Sequence, residues 1–206
     1  MLNFKVIMRI ISAMIISVCV YGITTSTVLA NSVTVVEQSS EQGNISVEYP
    51  QISGMQNESI AQKINSDIKY SVDKFIKSCQ VNEFLQEGFL KYKMHYSDNK
   101  KLSFEMIQYT YTGGAHGSSF VKGYTYDLQT GQQDSLTKEY DFRPSDINQR
   151  IFAYARDNDV FLFSDFQGIS TYPNNYYLNE QGKPVILFQQ YEIAPYSSGV
   201  IRVNMY

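Results

Sequence analysis

The feature that most constrains the fold is a long apolar stripe with helical spacing, set between segments that alternate like β-strands. The stripe recurs at steps of three and four residues and consists of Ile60, Ile64, Ile68, Val72, Phe75 and Ile76. Asn57 is a good N-cap, and Glu58 suits the positive end of the helix dipole. The pattern predicts a helix over residues 57–78, whose stripe must be buried against a sheet or another helix.

Strand-like segments surround this helix. Apolar and aromatic residues alternate with polar ones in these segments, which predicts half-buried strands. The predicted strands are residues 45–52, 91–96, 102–111, 118–128, 176–178, 185–190 and 201–205. Pro50 confines the end of its strand to a sheet edge, because proline cannot donate to a ladder. A second, shorter helix, opened by Pro144, is predicted near residues 145–156.

Runs of strands punctuated by two helices indicate an α+β fold rather than an alternating α/β fold. We predict antiparallel sheets with two packing helices, arranged as two small lobes of one compact unit. The first lobe is predicted over residues 31–115 and contains the long helix. The second is predicted over residues 116–206.

Residues 1–30 have the order of a secretory signal: Lys5 and Arg9, an apolar run over residues 10–23, and small residues at the end. This predicts cleavage after Ala30 and a secreted or extracytoplasmic protein of the cell envelope. The alternative is an uncleaved signal that anchors the protein in the membrane. A lipid-modified Cys19 is disfavoured because Val18 precedes it, where a small residue is wanted.

The net charge bears on the possible partners, and the cysteine content bears on disulfide bonds. Cleavage would remove two basic residues and no acidic ones, so the net charge would change from −3 to −5. An acidic surface argues against nucleic acid and anionic membrane, and it tolerates a basic protein partner. Cys79 would be the one remaining cysteine, so no internal disulfide is possible. We expect an inert, half-buried thiol.

Residues with catalytic or metal-binding chemistry are few. The two histidines, His95 and His116, lack the spaced histidine, cysteine or carboxylate partners of a metal site. We therefore predict no metal, no cofactor and no catalytic set. A hydrolase using His116 with a nearby carboxylate or with a serine such as Ser118 stays open as an alternative, although spacing alone supplies no orienting group. The glycines around His116 favour a structural role in which two backbones approach closely.

Five phrases, taken in order, resemble a known pair of domains. They are residues 49–52 (YPQI), 63–65 (KIN), 111–117 (YTGGAHG), 124–131 (YTYDLQTG) and 191–199 (YEIAPYSSG). The order is similar to two adjoining extracytoplasmic domains of unknown function. These domains form the ectodomain of the lysozyme-sensing anti-sigma factor RsiV and the N-terminal region of PdaC-type peptidoglycan deacetylases. The family-motif residues, of unknown role, are Gly113, Gly114, His116, Gly117, Tyr191, Glu192, Pro195, Tyr196 and Gly199.

The resemblance implies a non-enzymatic binding or sensing module of the cell envelope in a largely Gram-positive family. Its expected partners are lysozyme or another basic extracellular protein, or peptidoglycan. Nine residues precede the apolar run and none follows Tyr206, so we expect a free-standing module without a sigma-binding region or a deacetylase domain. The alternatives are a cell-wall hydrolase using His116 and an accessory domain without a ligand of its own.

The last phrase carries a further structural expectation. We predict that residues 191–199 form a buried structural turn rather than a catalytic loop. Pro195 fixes the backbone there, and Gly199 can adopt a positive φ. Glu192 must find hydrogen-bond partners if it is buried.

Overall fold

The computed structural model describes residues 33–206. The predicted signal and its cleavage site lie outside the described residues. Within the described part of the chain, no helix is long and apolar enough to cross a membrane.

The first lobe is a five-stranded sheet crossed by one long helix. Its strands lie side by side in chain order. They are β1 (Thr34–Gln42), β2 (Ile45–Ser53), β3 (Glu87–Ser97), β4 (Lys101–Tyr111) and β5 (Ser118–Asp127). Neighbouring strands are antiparallel except β2 and β3, which are parallel and are joined through α1 (Glu58–Gln80). A parallel pair needs such a crossover.

The helix α1 confirms the prediction from the apolar stripe. The Asn57 side chain accepts a hydrogen bond from the Ser59 backbone N–H and so caps the helix. One face is buried against the sheet, including Ile64, Ile68 and Val72. Cys79 ends this face at 2% exposed, and burial raises the pKa of its thiol. The thiol is therefore fully buried rather than half-buried, and it stays protonated.

The edge position predicted for Pro50 is also confirmed. β2 pairs with β1 along its whole length, but it pairs with β3 only over residues 45–47. Pro50 therefore has a neighbouring strand on one side alone. A sheet edge of this kind tolerates proline, which has no N–H to donate to a second neighbour.

The second lobe packs two helices on a three-stranded antiparallel sheet. Its elements are α2 (Leu136–Glu139), α3 (Pro144–Asp157), β6 (Tyr176–Leu178), β7 (Pro184–Phe188) and β8 (Ile201–Asn204). The four-residue helix α2 was not predicted, because one turn is too short to show a periodic pattern. Two sheets with two substantial helices confirm the α+β fold class.

The lobes meet across the face of β4 and β5 that points away from α1. Gly123 of β5 lies so close to β6 that a Cβ there would be 2.1 Å from the Tyr176 carbonyl oxygen. The Ser103 hydroxyl accepts a hydrogen bond from the Leu178 N–H across the same junction. The first sheet thus continues to Asp127, beyond the predicted lobe boundary at residue 115.

Candidate functional site

The GGAHG phrase forms the loop between β4 and β5. Gly113 and Gly114 have φ angles of 95° and 93°, which L-residues rarely adopt. Gly117 is buried, and a Cβ on it would come within 2.3 Å of the Tyr109 ring. His116 is exposed between these glycines. The glycines therefore shape a tight loop that holds one histidine at the surface.

The YEIAPYSSG phrase forms a turn between β7 and β8. Ile193 and Ala194 are buried, but Tyr191 and Glu192 are exposed. The prediction of a buried turn is therefore wrong for most of the segment: within residues 191–199 only Ile193 and Ala194 are buried, and these two apolar residues anchor the turn. The carboxylate of Glu192 accepts a hydrogen bond of 2.6 Å from the Gln189 N–H.

The rest of this segment follows its backbone preferences. Pro195 precedes a single 3₁₀ turn over Tyr196–Ser198, and Gly199 ends that turn with a φ of 66°. Tyr191 also has a positive φ, 65°, without being a glycine. Such a conformation persists only where the surrounding structure enforces it, and it is concentrated at functional sites.

These two phrases, one from each lobe, meet at the junction. The His116 ring stacks on the Tyr196 ring with centroids 3.8 Å apart and planes inclined by 20°. The Tyr196 hydroxyl donates a 3.1 Å hydrogen bond to the Gly117 carbonyl. The Tyr191 ring lies 5.7 Å from the Tyr196 ring. The contact joins residues that are far apart in the sequence.

A small cavity of about 180 Å³ opens beside the stack, and we call it the junction cavity. It is bounded by residues from both lobes: Thr110, Thr112, His116, Gly117, Ser118, Ser119, Gln190, Tyr191 and Tyr196. The Gln190 side-chain oxygen accepts a hydrogen bond from the Ser119 N–H and links the two sides. The lining contains hydroxyl groups, aromatic rings and one imidazole, and it contains no lysine, arginine, aspartate or glutamate.

The chemistry available to His116 follows from its contacts. Its Nδ1 lies 3.0 Å from the Gly117 carbonyl oxygen, so Nδ1–H is the donor. Ser118 and Ser119 line the same cavity. A triad needs the base to reach the nucleophile and a third group to orient the base. The backbone bond and the ring stack fix the imidazole in place without a carboxylate at Nδ1.

Across residues 33–206, no group of three or more histidine, cysteine or carboxylate side chains is arranged to hold a metal ion.

The other family phrases have local structural roles. The Asn65 side chain bonds both the N–H and the carbonyl of Ile52, at 2.7 and 2.8 Å, which ties α1 to β2. The Asp127 side chain accepts bonds from the N–H groups of Gln129 and Thr130 and shapes the turn after β5. These phrases maintain the first lobe, whereas the GGAHG and YEIAPYSSG phrases create an exposed surface.

Sequence analysis missed a buried ionic cluster at the junction. Glu105 of β4 is 2% exposed and binds the Arg202 guanidinium of β8 with both carboxylate oxygens, at 3.1 and 3.2 Å. A β-bulge at His95 aims that ring into the junction, where it stacks on Tyr177. Its Nε2 lies 3.6 Å from Glu105.

The cluster changes the ionisation of its carboxylate. Burial by itself would raise the pKa of Glu105, but the neighbouring His95 and the Arg202 charge outweigh burial and lower it. No sequence signal pairs Glu105 with Arg202, because they are joined only when the two sheets face each other.

Comparison with known proteins agrees with this architecture. The family model described as deacetylase PdaC matches residues 36–119. A second, described as a protein of unknown function (DUF3298), matches residues 127–205. The two matched segments lie in tandem and together span most of the described residues. The resemblance found in the sequence is thereby confirmed.

Solved structures share the fold of this chain. A DUF3298 family protein from Pseudomonas aeruginosa PAO1 has a TM-score of 0.58 at 16% identity, covering 84% of this chain and 89% of its own. A member of the same family from Bacteroides fragilis has a TM-score of 0.56 at 12% identity, with the same coverages. Among curated proteins, no sequence matches this one. At these identities the likeness establishes the fold alone.

Proposed function

We propose that this tandem is a non-enzymatic binding module that works outside the cytoplasm, in the cell envelope, with lysozyme as its leading partner. The observation that carries the proposal is the meeting of the GGAHG and YEIAPYSSG phrases. They come from different lobes, yet they build one exposed surface with Tyr191, Tyr196 and His116.

The side chains of this surface suit protein recognition. Tyrosine is enriched in interfaces and among the residues that dominate binding energy, because its rigid ring buries a large area at little entropic cost. Tyr191 is 59% exposed, and its positive φ presents the ring at the rim of the junction cavity. The surface is thus preorganised before a partner arrives, which reduces the cost of association.

Charge supports a basic partner. The net charge of the whole chain is −3, and it becomes −5 once residues 1–30 are removed. Lysozymes are usually basic, and opposite net charges accelerate diffusional encounter. Binding is therefore expected to weaken as the salt concentration rises.

Export is part of the same proposal. The Lys5 and Arg9 start, the apolar run and the Val28-Leu29-Ala30 ending support secretion with cleavage after Ala30. N-terminal sequencing of the secreted protein should begin at Asn31. Recovery of the full-length chain in the membrane fraction alone would instead establish an uncleaved anchor.

Calorimetric titration tests binding directly. Purified protein spanning residues 31–206 is titrated with lysozyme and, separately, with peptidoglycan fragments. We expect salt-sensitive lysozyme binding that weakens at least tenfold in Tyr196→Ala and Tyr191→Ala. Tyr70→Ala is the matched control, since Tyr70 is 68% exposed on α1, away from the junction cavity. Absence of lysozyme binding to the folded protein would reject lysozyme as the partner.

A cell-wall hydrolase is the second candidate, because Ser118 and Ser119 line the same cavity as His116. Incubation with peptidoglycan, followed by analysis of released fragments, separates it from the binder. Turnover that a folded His116→Ala variant loses would establish the enzyme. If nothing binds and nothing is converted, the accessory-domain hypothesis takes its place.

A further inference from the structure

We propose that the junction cavity receives one arginine side chain of the docking protein. This inference rests on the proposed function, in which a protein binds at the surface of Tyr191, Tyr196 and His116. It names the chemical group that the surface recognises, a guanidinium.

The size of the cavity points to a single side chain. Its volume is about 180 Å³. Small-molecule sites usually enclose about 300–1,000 Å³. A long, thin side chain inserted from a partner surface fits this space, whereas an extended oligosaccharide does not.

The polar lining favours a donor-rich group. Four aliphatic hydroxyl side chains bound the cavity, from Thr110, Thr112, Ser118 and Ser119. Hydroxyl oxygens offer acceptor lone pairs, and a guanidinium carries five N–H donors and no acceptor. The lining holds no lysine or arginine, so it lacks the permanent cation with which a carboxylate or phosphate would pair.

The aromatic walls favour arginine over lysine. The rings of Tyr191 and Tyr196 lie at the cavity, with Tyr191 exposed at its rim. A planar guanidinium stacks on aromatic faces and sheds water more readily than the compact, strongly hydrated ammonium of lysine. The carboxylate of Glu192, the next residue after Tyr191, accepts a hydrogen bond from the Gln189 N–H, so Glu192 adds negative charge to this turn but no side chain to the cavity lining.

The first test uses chemically modified lysozyme. Arginines are blocked with a cyclic 1,2-dione in one sample, and lysines are acetylated in another as a control for lost positive charge. We expect the arginine-blocked sample to bind at least tenfold more weakly than the lysine-acetylated sample. Equal affinities of the two samples would overturn the inference while leaving lysozyme binding intact.

The second test does not depend on lysozyme. N-acetyl-arginine methylamide and N-acetyl-lysine methylamide are each titrated into the isotope-labelled protein. We expect the arginine probe to shift the amide resonances of Ser119 and Gln190, with a dissociation constant at least fivefold lower than that of the lysine probe. Shifts of equal size and midpoint for both probes, or no shift with either, would overturn the inference.

Two independent variants test whether the arginine probe binds in the junction cavity. Tyr196→Ala removes the ring, and Thr112→Val removes an exposed hydroxyl at nearly constant volume. Each should reduce the arginine-probe shifts at least threefold. If lysozyme fails to bind but the arginine probe still shifts these resonances, the proposed partner is wrong and the arginine site stands.

Discussion

The ring of His116 stacks on the ring of Tyr196 with centroids 3.8 Å apart, and the two residues belong to different lobes. The surface that we assign to partner binding therefore exists only while the lobes are docked. Contacts that hold the lobes together, even those remote from the surface, should influence binding.

The contribution of the Tyr196 ring can be separated from that of its hydroxyl. In Tyr196→Phe the ring remains, but the hydroxyl that donates to the Gly117 carbonyl is lost. We expect a loss of about 0.5–1.5 kcal/mol in the free energy of unfolding, with lysozyme affinity reduced less than in Tyr196→Ala. Urea denaturation and calorimetry measure the two effects. Equal affinity losses in both variants would show that the hydroxyl, not the ring, carries recognition.

Gly123→Ala should separate the lobes. The added methyl would meet backbone atoms of Tyr176 at 2.1 and 2.4 Å, where neither strand can yield by a side-chain rotation. We expect a loss of about 3 kcal/mol in the free energy of unfolding, at the upper end of the usual cost of overpacking, together with weaker lysozyme binding. Gln129→Ala, an exposed change just after the same strand and outside the junction cavity lining, serves as the control. A Gly123→Ala protein as stable as that control would contradict the close approach.

Glu105→Gln should alter the pH dependence of stability. The pKa of Glu105 is lowered in the folded protein by His95 and Arg202, which outweigh burial. A depressed folded pKa adds stability above the unfolded value of about 4.3 and loses it as the pH falls through the folded value. The stability difference between wild type and Glu105→Gln should therefore be large at pH 7 and shrink below about pH 4. Denaturant titrations at a series of pH values measure it, and a constant difference would exclude this role.

Lys101→Met tests a second buried charge. Lys101 pairs with Asp134, whose side chain is fully buried, and its Nζ is 3.0 Å from Glu139. Removing one partner of a buried pair costs about 3–5 kcal/mol. The control is Lys138→Met, because Lys138 is two-thirds exposed and 3.8 Å from the same carboxylate; it should cost about 1 kcal/mol or less. Thermal denaturation compares them, and similar losses would contradict the assignment.

Ile64→Asp tests the stripe of α1. Ile64 is fully buried, so the carboxylate would have no partner. The free-energy cost of burying this carboxylate is comparable to a total stability of about 5–15 kcal/mol. We therefore expect circular dichroism to show an unfolded protein. Gln62→Asp, on the exposed side of the helix, should melt like the parent. A folded Ile64→Asp variant would mean that the stripe is not core.

The sequence by itself determined the elements whose signals are local. The spacing of Ile60 to Ile76, with Asn57 as the cap, predicted α1 to within two residues at each end. Alternation predicted β4 and β5, because side chains on a strand point to opposite faces in turn. The family phrases identified the tandem without any geometry.

Only the tertiary structure decided what those elements face. Alternation placed Ser103 and Glu105 on the second face of β4, but it could not reveal that another sheet buries that face. It likewise could not join Glu105 to Arg202, or His116 to Tyr196, since these contacts close across long stretches of chain. Periodicity shows which residues of a helix or strand lie on its apolar face and which lie on its polar face. Which distant groups satisfy the polar side depends on how the lobes dock, and no local pattern encodes that arrangement.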